Sequence, residues 1–328
     1  MAHSFFRSAL RWGVIGVFAL VLLGAGTYLW ASSTSSKVFA RSIPAHEADF
    51  PVPFPLPQEE IEELGLSPAE AEDLALERAL ERGRHLLSAR YPCAECHGSD
   101  YGGGIMVDAF PIGQLHGPNL TSGRGSRAPD LTVADWDRIV RHGILPDGRP
   151  AVMPSEDFLL MSDQELSDII AYIRSLPPVD NQAPPVRFGP LGKFLVATGQ
   201  ITPSADHVED HDAPHGAEPP PAEVSLEFGR HLAGVCVGCH RPDFTGGPIA
   251  GGDPSWVPAA NLTPHAEGVA GWSYADFERA MRDGIRPDET EIAPPMTLAM
   301  PFAQQMTDVE MEALWLYLQS VPERPTSR

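Results

Sequence analysis

Cysteine is scarce in this chain. Only four occur in 328 residues, and all four fall in two pentapeptides, "CAECH" at 93–97 and "CVGCH" at 236–240. None is left for a separate disulfide, an extra thiolate ligand or a free nucleophile. Positive charge is also short: 23 Lys and Arg stand against 44 Asp and Glu, a formal net charge of −21. Phosphate backbones repel such a chain, which argues against nucleic acid as a partner. Most of these carboxylates serve solubility, and an acidic face suits a basic partner. The chain carries no flavin or nicotinamide fingerprint, and neither pentapeptide lies near a βαβ pattern.

What is there is a Cys-x-x-Cys pair followed at once by His, twice. Such a unit can be a redox dithiol, part of a zinc site or an attachment point for c-type haem. Zinc needs four ligands, and this pentapeptide supplies at most three at awkward adjacency. A dithiol has no need of the adjoining His. Covalent haem explains the whole pattern. Two thiols at i and i+3 on one helical turn reach the two vinyl groups along one porphyrin edge, and the next residue turns its imidazole beneath the iron. Two copies, with His97 and His240 separated by 143 positions, point to two covalently attached haem c groups on Cys93, Cys96, Cys236 and Cys239.

The N-terminus carries Arg7 and Arg11, then an uncharged run from Trp12 to Trp30. That length crosses a bilayer as a helix. Arginines before it and Trp12, Tyr28 and Trp30 at its edges fit a cytoplasmic start with interfacial anchors. The competing reading is a cleaved secretory signal near Gly24-Ala25-Gly26; the apolar run continues past that point, so a retained anchor is favoured. Residues beyond 31 are then exported, into the periplasm of a bacterial inner-membrane protein with a single span. Residues 31–68 read as a tether, with alternating prolines at 51, 53, 55 and 57 that favour extended polyproline II. Residues 181–222 read as a Pro-rich acidic linker in which His207, His211 and His215 are solvated rather than metal-binding.

Between these connectors lies a tandem repeat, 69–180 and 223–328. Both copies read as all-α, with no convincing hairpin signal. Capping boxes open helices at Ser67, Thr132, Ser162, Ser273 and Thr307, each with an acid three residues on. Gly143 and Gly284 end the middle helices as left-handed C′ residues. The final helices carry apolar residues at helical spacing, Leu166, Ile169, Ile170 and Ile173 in one and Met311, Leu314, Trp315 and Leu318 in the other.

With its haem motif, "NLT" turn, Met-Pro pair and terminal "AYIRSLP" or "LYLQSVP", each copy resembles a class I cytochrome c domain. The chain as a whole is similar to membrane-anchored dihaem cytochromes and to the cytochrome subunits of periplasmic dehydrogenases. The resemblance implies an all-α fold in which Gly83 meets Tyr172, and Gly229 meets Tyr317, where first and last helices cross. It implies His97 and His240 as proximal iron ligands, with the Pro118 carbonyl accepting from the first imidazole and that of Ala260 from the second. It also implies a methionine as sixth ligand. Met153 of "AVMPSEDF" fills that place in the first copy. In the second, Met300 is preferred by its distance from the cap Thr307, with Met296 as the alternative and Met306 as a packing residue. Arg84, Arg230, His85 and His231 are read as solvated helix surface.

Iron closed by His and Met leaves no position for substrate, so no catalytic residue is expected, and one-electron transfer remains. Expected partners are redox proteins: an oxidase, a reaction centre, a quinol-oxidising complex or a dehydrogenase. A dihaem peroxidase is the competing enzyme class, and a haem-based sensor lacks an output domain.

Overall fold

The computed structural model describes residues 2–45, 47–249, 252 and 255–328, with side chains from residue 10 onward; Met1 and the Arg7 side chain lie outside the described residues. Helices α1 (Ala2–Ala40) and α2 (Gln58–Leu64) precede a first domain of α3 (Pro68–His85), α4 (Cys93–His97), α5 (Val133–His142) and α6 (Asp163–Ser175). A strap containing α7 (Pro190–Ala197) leads to a second domain of α8 (Leu226–Ala233), α9 (Val237–His240), α10 (Tyr274–Asp283), α11 (Met300–Ala303) and α12 (Asp308–Ser320).

Local chemistry sets the ends of these helices. Reciprocal capping boxes close at Ser67/Glu70, Thr132/Asp135, Ser162/Glu165, Ser273/Asp276 and Thr307/Glu310. Each satisfies N–H groups that have no partner inside the helix. Gly143 (φ +67) and Gly284 (φ +73) stop α5 and α10 in the left-handed conformation. The apolar face of α6, with Leu166, Ile169, Ile170 and Ile173 all buried, meets Leu86, Leu87, Trp136 and Phe158 in one core. Met311, Leu314 and Leu318 of α12 meet Phe228, Phe244 and Phe277 in the other. Each fully buried aliphatic side chain contributes on the order of 2 kcal/mol.

The crossings of α3 with α6 and of α8 with α12 require glycine. A Cβ on Gly83 would lie 2.3 Å from the Asp168 carbonyl oxygen and 2.8 Å from Tyr172 Cβ. On Gly229 it would lie 2.0 Å from the Ala313 oxygen and 2.7 Å from Tyr317 Cβ. The glycine–tyrosine pairs implied by resemblance are therefore contacts between backbones too close to admit a methyl group.

Several expectations change. The repeats are mostly helical, but a small antiparallel sheet interrupts the first: β1 (Gly104–Ala109), β2 (Gly113–Gly117) and β3 (Arg187–Phe188), in that order. Its hairpin escaped the sequence because the strands are short and glycine-flanked, without the alternation that marks a longer strand. The N-terminal helix also outruns the expected span. Residues 31–40 contain neither Pro nor Gly, so nothing stops it there, and Ala31 and Ser35 are buried. Trp30 packs edge-on to Phe194 of α7 (6.3 Å), and Phe39 stacks on Phe188 (5.2 Å).

Neither connector is a free spacer. Phe50 of the tether is buried in the first core, Pro51 accepts a hydrogen bond from Ser167 Oγ (2.7 Å), and the Arg141 guanidinium lies over the Phe50 ring. The proline segment bends at Val52-Pro53 rather than running straight, and its two phenylalanines (Phe50 and Phe54) glue it down. The strap likewise lies along the first domain: Ala205 and Val208 are buried, and the Gly216 and Ala217 carbonyls accept from Asp163 and Gln164 at the start of α6. The solvated reading holds only for His207, half exposed beside Glu156, and fails for His211 and His215, which pack against His142.

Candidate functional site: two haem-binding centres and the contact between them

The first pentapeptide is the single turn α4, while in the second Cys236 ends a 3₁₀ turn, Gly234–Cys236, that runs into α9; in both the histidine is the last helical residue. His97 and His240 are 8% and 7% exposed. Nδ1 of His97 donates to the Pro118 carbonyl and Nδ1 of His240 to that of Ala260, each at 2.8 Å. The carbonyl survives the Pro-to-Ala change because it belongs to the backbone. Burial pulls both imidazoles below the usual histidine range, against the opposing effect of those carbonyls. Each ring is then neutral at pH 7, with Nδ1 protonated and the Nε2 lone pair presented to a metal; the hydrogen bond fixes the ring plane and raises its basicity. Burial pushes the Cys93 and Cys236 thiols up to about 12 and Cys96 to about 11, so as free thiols they are inert.

A polar atom left over in the first domain tests whether porphyrin fits. Trp136 Nε1 is buried without an acceptor among the described residues, and its N–H suits a carboxylate brought in by the bound group. Phe277 stands at the same point of the second domain and offers no such donor.

Methionines are distributed as follows. Met153 is half-buried on the first core and its carbonyl accepts from Ser155 N–H at 2.9 Å. Met161 is buried under the α6 cap. Met296 opens a 3₁₀ turn, Met296–Leu298, while Met300 opens α11. The Met300 thioether presses on Gly284, where an added Cβ would meet its Cε at 2.6 Å and Sδ at 3.0 Å. In the first domain that place against Gly143 belongs to Ser155, 3.3 Å from such a Cβ by its Oγ. Ser155 and Met300 stand at the same distance before their caps, Ser162 and Thr307.

The scan against family models matches residues 78–173 to cytochrome c oxidase, cbb3-type, subunit III, and residues 227–322 to cytochrome c. The chain carries two c-type cytochrome domains in tandem. Two such domains carry two covalently bound haem c groups. Among similar proteins are the fructose dehydrogenase cytochrome subunit of Gluconobacter japonicus, 27% identical over 76% of this chain and 54% of that protein. The alcohol dehydrogenase (quinone) cytochrome c subunit of Komagataeibacter europaeus is 28% identical over 72% of this chain and 54% of its own length. A dihaem cytochrome c-type protein of Cereibacter sphaeroides is 25% identical over 70% and 82%. The chain thus spans about half the length of the dehydrogenase subunits it matches.

The two cytochrome domains are joined by an exchange of equivalent residues that sequence reading missed. His85 of the first "GRHL" donates from Nε2 to Glu310 of the second domain (2.8 Å), and His231 of the second "GRHL" donates to Glu165 of the first (2.9 Å). Arg90 sits between them, bonded to Glu310 at 2.5 Å and to Glu165 at 3.0 Å, with its cation over the Phe228 ring. Both glutamates are 2% exposed. Burial alone would raise Glu165, but His231, Ser162 and Arg90 outweigh it and hold the carboxyl below its usual range. Against the same opposing burial, His85 and Arg90 bring Glu310 down to about 2. The expectation of solvated histidines therefore fails: each of the paired repeats offers a histidine and a buried acid that complement the other copy. The repeated "H" in "GRHL" and "E" in "SDQE" and "TDVE" were the available signal.

A second contact touches a haem-attachment turn directly. Gly238, between the cysteines of the second pair, donates its N–H to Asp157 Oδ1 at 2.7 Å. A Cβ there would meet that carboxylate at 2.5 Å, so the close approach needs glycine. Burial, then neighbouring Glu156, pushes Asp157 up to about 8, and it is protonated at pH 7.

Proposed function

We propose that this chain is a membrane-anchored electron conduit: it takes electrons one at a time from a dehydrogenase partner and relays them between its two domains toward a further redox carrier. The haem irons, when bound, supply one-electron exchange. The protein's own residues hold the porphyrins covalently, set the imidazole planes through Pro118 and Ala260, and keep both cores dry. His97 with Met153, and His240 with Met296, are the proposed iron ligand pairs. Met296 is preferred to Met300 because the Met300 thioether takes the place of Ser155, two residues beyond Met153 in the first copy. A thioether donor from Met153 or Met296 would raise the reduction potential relative to harder donors. The exposed apolar face of α1 from Leu10 to Trp30 supports a single span of a bacterial inner membrane, with both domains in the periplasm.

The observation that carries this reading is the Gly238–Asp157 contact. It sets the attachment turn of one haem against Ser155–Phe158, the segment that follows Met153 of the other, and favours relay over two independent carriers. The dehydrogenase side of the proposal rests on the relatives, which include cytochrome subunits of fructose, alcohol and gluconate dehydrogenases.

Purification from the native membrane in mild detergent tests it. A dehydrogenase subunit should travel with the chain, and its substrate should reduce both haems. A chain that isolates alone, with haems that no membrane dehydrogenase reduces, would remove the subunit role. Free uptake of small exogenous ligands by one haem in the working state would remove the conduit itself.

A further inference from the structure

A cluster of histidines on the far side of α5 takes no part in haem binding. His142, the last residue of α5, is fully buried, as is Asp137 one turn earlier. The strap brings His215 and His211 against it: His142 Nε2 lies 3.0 Å from His215 Nε2, and His142 Nδ1 lies 3.2 Å from His211 Nδ1. Asp137 lies 3.8 Å from Nε2 of both His142 and His215.

His211 Nε2 faces the Ala205 carbonyl at 3.1 Å, and His215 Nδ1 faces the Leu159 carbonyl at 3.1 Å. A carbonyl only accepts, so each of those nitrogens carries its ring's proton. His211 Nδ1 and His215 Nε2 are both turned toward His142, which meets them with its own Nδ1 and Nε2 at 3.2 and 3.0 Å, so that imidazole nitrogens converge beside the Asp137 carboxylate.

We propose that Asp137, His142 and His215 bind a divalent transition-metal ion, with Zn²⁺ as the best match. Their ligand atoms lie within 4.8 Å of one another. Bonds of about 2.0–2.1 Å put tetrahedral ligand atoms about 3.3–3.5 Å apart, so the carboxylate must draw in toward the two imidazoles as the ion binds. Two imidazoles and a carboxylate are a zinc donor set with room for a fourth ligand. Both rings already have the outer hydrogen bond that orients a metal-binding imidazole: His215 on Leu159, His142 on His211. Charge agrees, because Arg141 is matched by both Asp137 and Asp163, leaving one net negative charge beside the site. The ion would staple the strap to α5 and, through Leu159, to the segment that carries the contact with the second domain.

The full chain with both haems is the material for the test. Metal analysis normalised to haem iron should find one zinc for each pair of irons, as isolated or after dialysis against excess Zn²⁺. The zinc absorption edge should report only nitrogen and oxygen neighbours, at about 2.0–2.1 Å. His215→Gln, on the strap rather than in a helix, should lower the zinc content at least ~10-fold with haem content unchanged. Chelation of the unsubstituted chain should lower its melting temperature and Zn²⁺ should restore it, a readout that survives if the variant folds poorly. A chain that takes up no zinc would overturn the proposal; so would a folded His215→Gln protein that keeps its zinc.

Discussion

Glu310→Gln tests the buried exchange between the two domains. Glutamine retains the reach to the Thr307 N–H and completes the capping box as glutamate does, so the cap of α12 is kept and only the charge is lost. The carboxylate accepts from His85 at 2.8 Å and from Arg90 at 2.5 Å while 2% exposed. Lowering its pKa from 4.5 to about 2 corresponds to about 3 kcal/mol, at roughly 1.4 kcal/mol per pH unit. Removing one partner of a buried ion pair costs about 3–5 kcal/mol, so the two routes agree. Arg90 keeps Glu165 in the variant, which places the expected loss at the lower figure. About 3 kcal/mol is a factor of about 150 in the equilibrium between docked and undocked domains. Hydrogen exchange across 155–165 and 231–240 should accelerate accordingly, while exchange at the centre of α6 stays protected. The pH dependence has a definite sign. The folded pKa is depressed, so this stabilisation is complete above about 5 and fades as pH falls from the unfolded value of 4.5 toward 2. The variant should lack that acid slope. Unchanged exchange in Glu310→Gln, with an unchanged acid transition, would refute the reasoning.

Other outcomes are equally definite. Gly83→Ala and Gly229→Ala each press a methyl group into a backbone carbonyl, at 2.3 and 2.0 Å; each should destabilise its own domain by about 2 kcal/mol or more, seen by calorimetry as one shifted transition. Met153→Ala and Met296→Ala should each abolish one Met–iron absorption band and lower one midpoint potential, whereas Met300→Ala should leave both bands. If Met300→Ala removes the band and Met296→Ala does not, the assignment reverses. Replacing residues 1–30 by a cleavable export signal should release a soluble dihaem protein with an unchanged spectrum, and retention in the membrane fraction would count against the anchor.

The two Cys-x-x-Cys-His turns were legible because each is written within five consecutive residues. Two thiols and an imidazole need only one helical turn to converge, and the partner of His97 is a carbonyl that any residue supplies. Helix ends were legible for the same reason: Ser162 and Glu165, or Thr307 and Glu310, meet within three residues. The connectors misled. Pro-rich, acidic stretches lack a core of their own, but Phe50 and the Ala205–Val208 segment find one in the neighbouring domain. The sulfur ligand of the second iron was ambiguous because "APPMTLAMPFAQQM" offers three methionines, and only the packing of Met300 on Gly284 separates their surroundings.

Residue order alone determined what is local: two Cys-x-x-Cys-His turns, the caps that frame each domain and an apolar N-terminal helix. The tertiary structure decided what depends on residues far apart in the chain. His85 finds Glu310 across 225 positions and His231 finds Glu165 across 66, and His215 reaches His142 across 73. None of these partners is encoded by spacing. The first two pairs meet because two copies of one fold bury complementary charges against each other, and the third because the strap packs on α5; a buried charge is stable only where the folded chain brings its counterpart within reach.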